Sequence, residues 1–331
     1  MSTLPTISIL TPTYNRRHTF KLAIKNFYEI DYPQLKIEWI IVDDGTDSIK
    51  DLLPSDSRIK YFYIDNDKRK ELYDTMVSKL DKNDNVKSSK KKSKNVLSKY
   101  HKDGFFHNRL PMGYKRNLCA EYANNDFLIH MDDDDYYPPQ SVQLRVSQLK
   151  KYLENDIHCI FCTSLPNFHV NEYKSIINNV GERMPIDKGL SENTMAYTKQ
   201  YWINQNFNNQ DLCNEGSNFI KGRLRYCKVI DYREIIVALI HKTNFANRIK
   251  MPEGEPNGWN FNKISDPLFL LITSFDEKKD FTFKQKNDNP ILGIIGYIYD
   301  DVFYNHTIDK FNKHDEKRIV KNFFGEGLVI Y

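Results

Sequence analysis

The run Phe127-Leu-Ile-His-Met-Asp-Asp-Asp-Asp-Tyr-Tyr-Pro-Pro139 drives an apolar segment straight into four carboxylates and stops it with two prolines. Adjacent aspartates repel one another, so such a cluster is tolerated where water or a cation neutralises it. A solvated turn with a helix N-cap would use one or two of them and leave the rest unexplained. Asp132, Asp133, Asp134 and Asp135 suit a hard divalent cation, because Mg2+ and Mn2+ prefer carboxylate oxygens and often bridge to phosphates. A calcium loop of the EF-hand kind does not fit. It needs Gly at its sixth position and Glu at its twelfth, and here Pro138 and Pro139 intervene.

The elements that must position these groups are legible as short apolar runs. ISILT reads as a buried strand leading into TPTYNRR, and Phe20, Ala23, Ile24 and Phe27 then recur at helical spacing between Arg17 and Tyr28. IEWIIVDD (37–44) is a second strand ending in a turn before Gly45, and IKYFYID (59–65) a third. MGYKRNLCAEYA (112–123) predicts a helix and DFLIHM (126–131) a strand; Pro138 and Pro139 suit the first turn of a helix running to about Glu154. IHCIFCTSL (157–165) and VIDYREIIVALIHK (229–242) read as strands, AYTKQYWI (196–203) as a polar stretch. Strands and helices in this order predict a mainly parallel α/β sheet. Ligands of such sheets bind beyond the carboxyl ends of the strands, and TYNRR, DDG and DDDD all fall there.

Composition narrows the class. With 48 Lys+Arg against 44 Asp+Glu among 331 residues, the net charge of +4 is too small to argue for a nucleic-acid partner. No run approaches the roughly 18 apolar residues of a membrane span, and MSTLPTISILTPTYN lacks the basic start of a signal peptide, so a cytoplasmic protein is expected. Richness in Lys, Asn, Ile and Tyr suits an AT-rich genome such as that of a virus or parasite. Five scattered cysteines, with Cys159 and Cys162 as a lone CxxC-like pair, predict buried free thiols rather than a zinc site. The lysine-rich stretch over about 68–107, with KSSKKKSK at its heart, has little apolar content and predicts a mobile insertion, with peripheral membrane contact as the functional alternative. Residues 251–331 are expected to form a C-terminal extension on a domain of residues 1–250.

The order PTYNR, a strand ending VDDG, G-x-K-R-N, and an apolar strand ending in D-x-D-D resembles the family 2 glycosyltransferases with the GT-A fold, over roughly residues 5–245. The resemblance implies a Rossmann-like central sheet flanked by helices, a nucleotide-sugar donor (usually a UDP-sugar) and Mn2+ or Mg2+. Pro12, Thr13, Tyr14 and Arg16 match the family's first loop around the nucleotide. Asp43 and Asp44 match the pair of which one binds uracil, whose N–H is a donor that a carboxylate can accept. Arg116 and Asn117 match the residues beside the nucleotide phosphates. By the resemblance Asp134 is the direct metal ligand, Asp132 faces ribose, donor sugar and metal, Asp133 and Asp135 join the donor site, and His241 contacts metal or diphosphate.

The catalytic base is where the chain departs from the family pattern, which has an acidic pair opening a helix. In Asn214-Glu215-Gly216 only one carboxylate survives, so Glu215 is the expected base and Asp211 the alternative. The implied activity is inverting sugar transfer to an acceptor hydroxyl, the acceptor being a glycan, lipid or protein. Two rivals are a non-catalytic nucleotide-sugar-binding module of the same fold and a nucleotidyltransferase. The latter normally carries a Gly-rich phosphate loop, and TPTYNRR has no glycine.

Overall fold

Strand β1 (Ile7–Thr13) is apolar at nearly every position, which only a strand covered on both faces can bury, and all seven of its residues are buried. In the computed structural model, residues 4–83, 109–170, 174–178, 185–187, 189–241, 244, 272, 292–299 and 302–309 are described. Strand β2 (Ile37–Asp43) pairs with β1 in parallel and is likewise fully buried. β3 (Ile59–Tyr63) forms the edge beyond it, and β4 (Phe127–His130) pairs in parallel on the other side of β1.

The chain then adds β5 (Cys159–Cys162), β6 (Leu165–His169), β7 (Lys174–Asn178), β8 (Ser191–Thr198), β9 (Cys227–Val229) and β10 (Ala238–Ile240). Seven strands make the central sheet in the order β3-β2-β1-β4-β8-β5-β9, while β10, β6 and β7 make a second sheet. All central neighbours run parallel except β8, which is antiparallel to both β4 and β5. This mainly parallel α/β sheet, with helices on its faces and one reversed strand, is consistent with the GT-A architecture that the sequence resemblance implies.

Two apolar layers cover the sheet. On one face Ile7, Ile9, Trp39, Ile41 and Ile129 meet helix α1 (Phe20–Tyr28), whose Phe20 and Phe27 stack on the Trp39 ring at 5.8 and 4.7 Å between centroids. Leu10, Ile40, Val42 and Leu128 point the other way. Helix α2 (Asn66–Asn83) follows β3, and α3 (Met112–Tyr122) brings Leu118, Cys119 and Ala120 to that second face. α4 (Ser141–Leu153) buries Val142, Val146 and Leu149 on the first face. The short helices α5 (Lys199–Asn204) and α6 (Glu215–Ile220) give Tyr201, Phe219 and Ile220 to the second.

Several expectations shift. The segment from 68 onward is helical to Asn83, because Asn66–Asn83 continues as α2; the rest of the expected insertion, including KSSKKKSK, lies outside the described residues. The run 157–165 breaks into β5 and β6, which join different sheets, and 229–242 likewise divides between β9 and β10. AYTKQYWI is the end of β8 and the start of α5. Its alternation is hidden because β8 is a central strand buried on both faces from Thr194 to Tyr197. All five cysteines are free. Cys162 faces one apolar layer and Cys159 the other, since a spacing of three in a strand puts two side chains on opposite faces. That pair therefore cannot clasp one metal ion.

The chain divides into two units, one of Met1–His169 with Tyr173–Trp259, the other of Val170–Glu172 with Asn260–Tyr331. In the second, β11 (Leu292–Tyr299) and β12 (Val302–Asp309) form an antiparallel hairpin. Among the described residues no helix is long and apolar enough to cross a membrane.

Candidate active site

Parallel pairing places the carboxyl ends of β1, β2 and β4 side by side, with Thr13 opposite Asp43 and Leu10 opposite His130. The loops that follow carry TYNRR, DDG and DDDD, so sheet register alone brings the three clusters together. The first and third clusters line a cavity of about 240 Å³ through Tyr14, Arg16, Asp132, Asp133 and Asp134, with Arg116 beside them, whereas Asp43 and Asp44 of DDG stand outside its lining.

The four aspartates have four different environments. Asp132 receives the Arg116 guanidinium at 3.2 and 3.4 Å, and its backbone N–H donates to the Tyr137 hydroxyl at 2.9 Å. Asp133 is buried, with Arg16 Nε 3.9 Å from it. Burial and the neighbouring Asp134 charge push its carboxyl up to about 7, and its Oδ2 makes no hydrogen bond of ordinary geometry. Asp134 Oδ2 meets Arg16 at 3.2 Å, His241 Nε2 at 3.4 Å and the Asn244 amide at 3.3 Å. Asp135 turns away from the cavity: one oxygen accepts from the Leu239 N–H at 3.0 Å and the other from Asn193 at 2.6 Å. It pins the acidic loop to β10 and β8. The Tyr137 hydroxyl continues that bracing by donating to the Asn193 carbonyl at 3.0 Å. The run DDDDYY thus divides into side chains that face the cavity and side chains that hold the loop.

The first-loop and DDG residues show the same division. Asn15 takes a left-handed backbone (φ 51°) and its side-chain oxygen accepts from the Thr46 N–H at 2.7 Å, binding the two loops together. Asp43 is saturated by the Gly45 N–H at 2.8 Å, the Tyr61 hydroxyl at 2.7 Å and the Ile49 N–H at 3.3 Å, so it shapes the turn. Asp44 accepts from the Leu110 N–H at 2.5 Å and pairs with the wholly buried Lys115 at 2.8 Å. Burial lowers the Lys115 ammonium while Asp44 draws it back up. Tyr14 lies under the Arg109 guanidinium, 4.9 Å from the ring centre, a cation–π arrangement. Pro12 and Arg109 both line the cavity, whereas Thr13 sits buried behind Asp133.

Helix α3 supplies the deepest cation. Arg116 is 2% exposed and reaches Glu215 through Nε at 2.5 Å while its other nitrogens hold Asp132. Flanking carboxylates raise its affinity for the proton despite burial, so it is a fixed charge. His130 stands beside it, with Nδ1 2.8 Å from the Glu192 carbonyl and Nε2 3.0 Å from the Tyr197 hydroxyl. A neutral ring satisfies both partners, and burial with the nearby Arg116 charge holds it well below the usual imidazole range. Asn117 points elsewhere: its amide clamps the Phe207 backbone at 2.8 and 2.9 Å and the Trp202 indole at 2.9 Å. It anchors the loop that leads to α6.

That loop carries both expected bases. Asp211 accepts from Asn208 at 2.8 Å and Asn218 at 2.7 Å, and its carbonyl receives the Gly113 N–H at 2.9 Å. It is absent from the cavity lining, which takes Leu212, Cys213, Asn214 and Glu215 instead. Gly113 is required because an added Cβ would collide with the Asn208 carbonyl oxygen. Gly113→Ala is expected to lower stability by about 1–3 kcal/mol, as overpacking does; thermal unfolding of the variant checks this.

Two cavity groups carried no sequence signal. Arg109 precedes the helix of the G-x-K-R-N motif with no pattern of its own. Glu192, at the amino end of β8, is half-buried on the cavity wall, and its Oε1 accepts from the Gly216 N–H at 3.2 Å. Burial and the adjacent Glu215 charge push its carboxyl up to about 8.

The acidic cluster is only partly arranged for a cation. Asp134 and His241 meet at one point, as two ligands of one ion would, while Asp132 is committed to Arg116. Among the described residues no group of three His, Cys, Asp or Glu side chains is assembled around one point. Two protein ligands still fit Mg2+ or Mn2+ chemistry, since such ions keep several waters and take further oxygens from a substrate's phosphates.

No protein-family model and no curated protein sequence matches the chain. Among solved structures the chain is similar to S. aureus TarS residues 1–349 in complex with UDP, at 15% identity and a TM-score of 0.47, covering 71% of this chain and 60% of that one. The same protein in complex with UDP-GlcNAc is similar at 14% identity and a TM-score of 0.46 over 72% of this chain. The mannosyltransferase PcManGT from Pyrobaculum calidifontis, in complex with GDP-Man and Mn2+, is similar at 14% identity and 0.47, over 74% of this chain and 59% of that one. The chain thus spans about 60% of the length of these neighbours.

Proposed function

We propose that the chain is a glycosyltransferase that moves a sugar from a nucleotide-sugar, such as a UDP-sugar, to an acceptor hydroxyl with inversion at the anomeric carbon. The observation that carries this reading is the cavity itself. Arg116 stands between the lining Asp132 and a Glu192–Glu215 carboxylate corner, and Arg16, Arg109 and Tyr14 line the same cavity. Cations and an aromatic ring suit a nucleoside diphosphate, and a carboxylate on the far side suits proton removal from an acceptor.

Asp134 and His241 are the residues that would hold Mn2+ or Mg2+, which when bound supplies charge neutralisation at the leaving diphosphate. Arg16 and Arg109 hold the phosphates by charge. Tyr14, which lines the cavity under Arg109, stacks on the base, and Asp44 fixes Lys115 and the Leu110 backbone. Arg116 holds Asp132 and Glu215 in place at the sides of the reacting centre. The acceptor's proton passes to a carboxylate of the Glu192–Glu215 corner.

Thermal shift with a panel of UDP-glucose, UDP-galactose, UDP-GlcNAc and GDP-mannose tests the proposal. At a hundred times its Kd a donor adds about 2.7 kcal/mol to stability, so at least one is expected to raise the melting temperature, by more with Mn2+ than with a chelator. A flat response to all four, in both conditions, would overturn it.

A further inference from the structure

The family's acidic pair has one member missing here, at Gly216 or at Asn214 according to which acid Glu215 matches, and at Gly216 the structure leaves no room for a side chain. A Cβ on Gly216 would collide with Leu190 Cδ1 and lie 2.8 Å from the Glu192 Cγ and 3.1 Å from its Oε1. The space beside Glu215 is therefore already filled, by a carboxylate that arrives from β8. Because β8 runs antiparallel to β4, with Ile129 opposite Ala196, its first residues lie at the carboxyl end of β4, where the acidic loop begins. Glu192 thereby reaches the same cavity wall as Glu215 although 23 positions separate them along the chain.

The two carboxylates are not equivalent. Glu215 is 3% exposed and receives the Arg116 Nε–H at 2.5 Å, a charge-assisted bond that commits its carboxylate to the guanidinium. Glu192 accepts instead from a neutral donor, the Gly216 N–H, at the long distance of 3.2 Å. We infer that Glu192 is the catalytic base, the residue that takes the proton from the acceptor, and that Glu215 is a positioning residue that fixes Arg116 and the start of α6. The inference rests on the glycosyl-transfer reading above.

The step balances without any further reagent. The acceptor O–H bond breaks and its proton moves to a Glu192 carboxylate oxygen. The oxygen's electron pair forms the new bond to the anomeric carbon, while the bond from that carbon to the diphosphate breaks and its electrons leave with the nucleoside diphosphate. A base working near neutral pH is best served by a carboxyl raised toward that pH, as burial and the Glu215 charge raise this one. The charged and titratable groups facing Glu192 are Glu215 on α6, Arg116 on α3, the His130 ring on β4 and the Cys213 thiol in the loop before α6. The ring is neutral and Arg116 fixed, and burial with the neighbouring carboxylates raises the Cys213 thiol.

Water serves as acceptor in the test, so the natural acceptor need not be known. The full chain is incubated with the donor that gives the largest thermal shift and Mn2+, and released nucleoside diphosphate is measured from pH 6 to 9. Glu192→Gln, which keeps size and hydrogen bonding, is expected to lower hydrolysis by about 10²–10⁴-fold with donor affinity and melting temperature nearly unchanged. The native rate is expected to climb with pH toward a plateau above about 8, and the climb to vanish in Glu192→Gln. Glu215→Gln is expected to lower both melting temperature and rate while keeping the climb. If Glu192→Gln hydrolyses donor like the native chain, or the native rate is flat over this range, Glu192 is not the base, while donor-dependent hydrolysis itself would still uphold the glycosyl-transfer reading. If the native chain neither binds nor cleaves any donor of the panel, that reading fails and the inference with it.

Discussion

Arg116→Met is expected to lower the melting temperature by roughly 10 °C or more at pH 7.5 and to abolish donor binding. The guanidinium pairs with both Glu215 and Asp132, and it is 2% exposed. Removing one member of a buried ion pair costs about 3–5 kcal/mol, because the partner is left charged and desolvated. In a folded unit of this size each kcal/mol corresponds to about 2–4 °C. The sign of the pH dependence follows from the same physics. A carboxyl left unpaired in the interior has its folded pKa raised above the unfolded value, so its penalty is absent at low pH and grows as pH rises. The deficit of Arg116→Met should therefore be smaller at pH 5 than at pH 8. Arg116→Lys, which keeps the charge but not the fork that reaches two carboxylates, should fall between. A melting temperature within about 2 °C of the native protein at pH 8, less than one kcal/mol's worth, would mean that the Asp132–Arg116–Glu215 chain does not hold the site together.

Asp134→Ala should act on chemistry and leave the fold in place. Its carboxylate contacts are long, 3.2 Å to Arg16, 3.4 Å to His241 and 3.3 Å to Asn244, and none of them ties the acidic loop to the sheet. That work belongs to Asp135 and Tyr137. Deleting the Asp134 charge also relieves Asp133, whose proton affinity it raises. With a metal ion worth several kcal/mol of charge stabilisation, donor hydrolysis is expected to fall by about 10²–10⁴-fold. Calorimetry should find that Mn2+ no longer strengthens nucleotide binding. Unchanged UDP affinity together with unchanged Mn2+ dependence in this variant would show that Asp134 and His241 do not hold the ion.

The two variants separate functions that the sequence writes in one breath. Asp132 to Asp135 are four identical letters, and their division into an arginine partner, a buried acid, a cation-facing group and a loop anchor is invisible until their neighbours are known. Asp43 and Asp44 pose the same problem. Both follow a buried strand, yet one is consumed by its own turn and the other by Lys115. Adjacent side chains in extended backbone point in opposite directions, so a doublet almost never has one role.

By itself the sequence determined the central parallel strands and the sheet edge at which the polar clusters gather. Runs such as ISILT, IEWIIVDD and DFLIHM are apolar on both faces, which only interior parallel strands can bury, and polar clusters after them must collect at the sheet's carboxyl edge. Those are local properties of the chain. Tertiary structure alone decided that β8 is reversed, that 157–165 and 229–242 each divide between two sheets, and that Glu192 meets Glu215. Strand partners and the direction of a strand depend on contacts between residues far apart in sequence, and no pattern within a single segment encodes them. The glycine at 216 is the clearest case: read along the chain it is one of two places where an acid of the pair could be missing, and in space it is the room that the Glu192 side chain occupies.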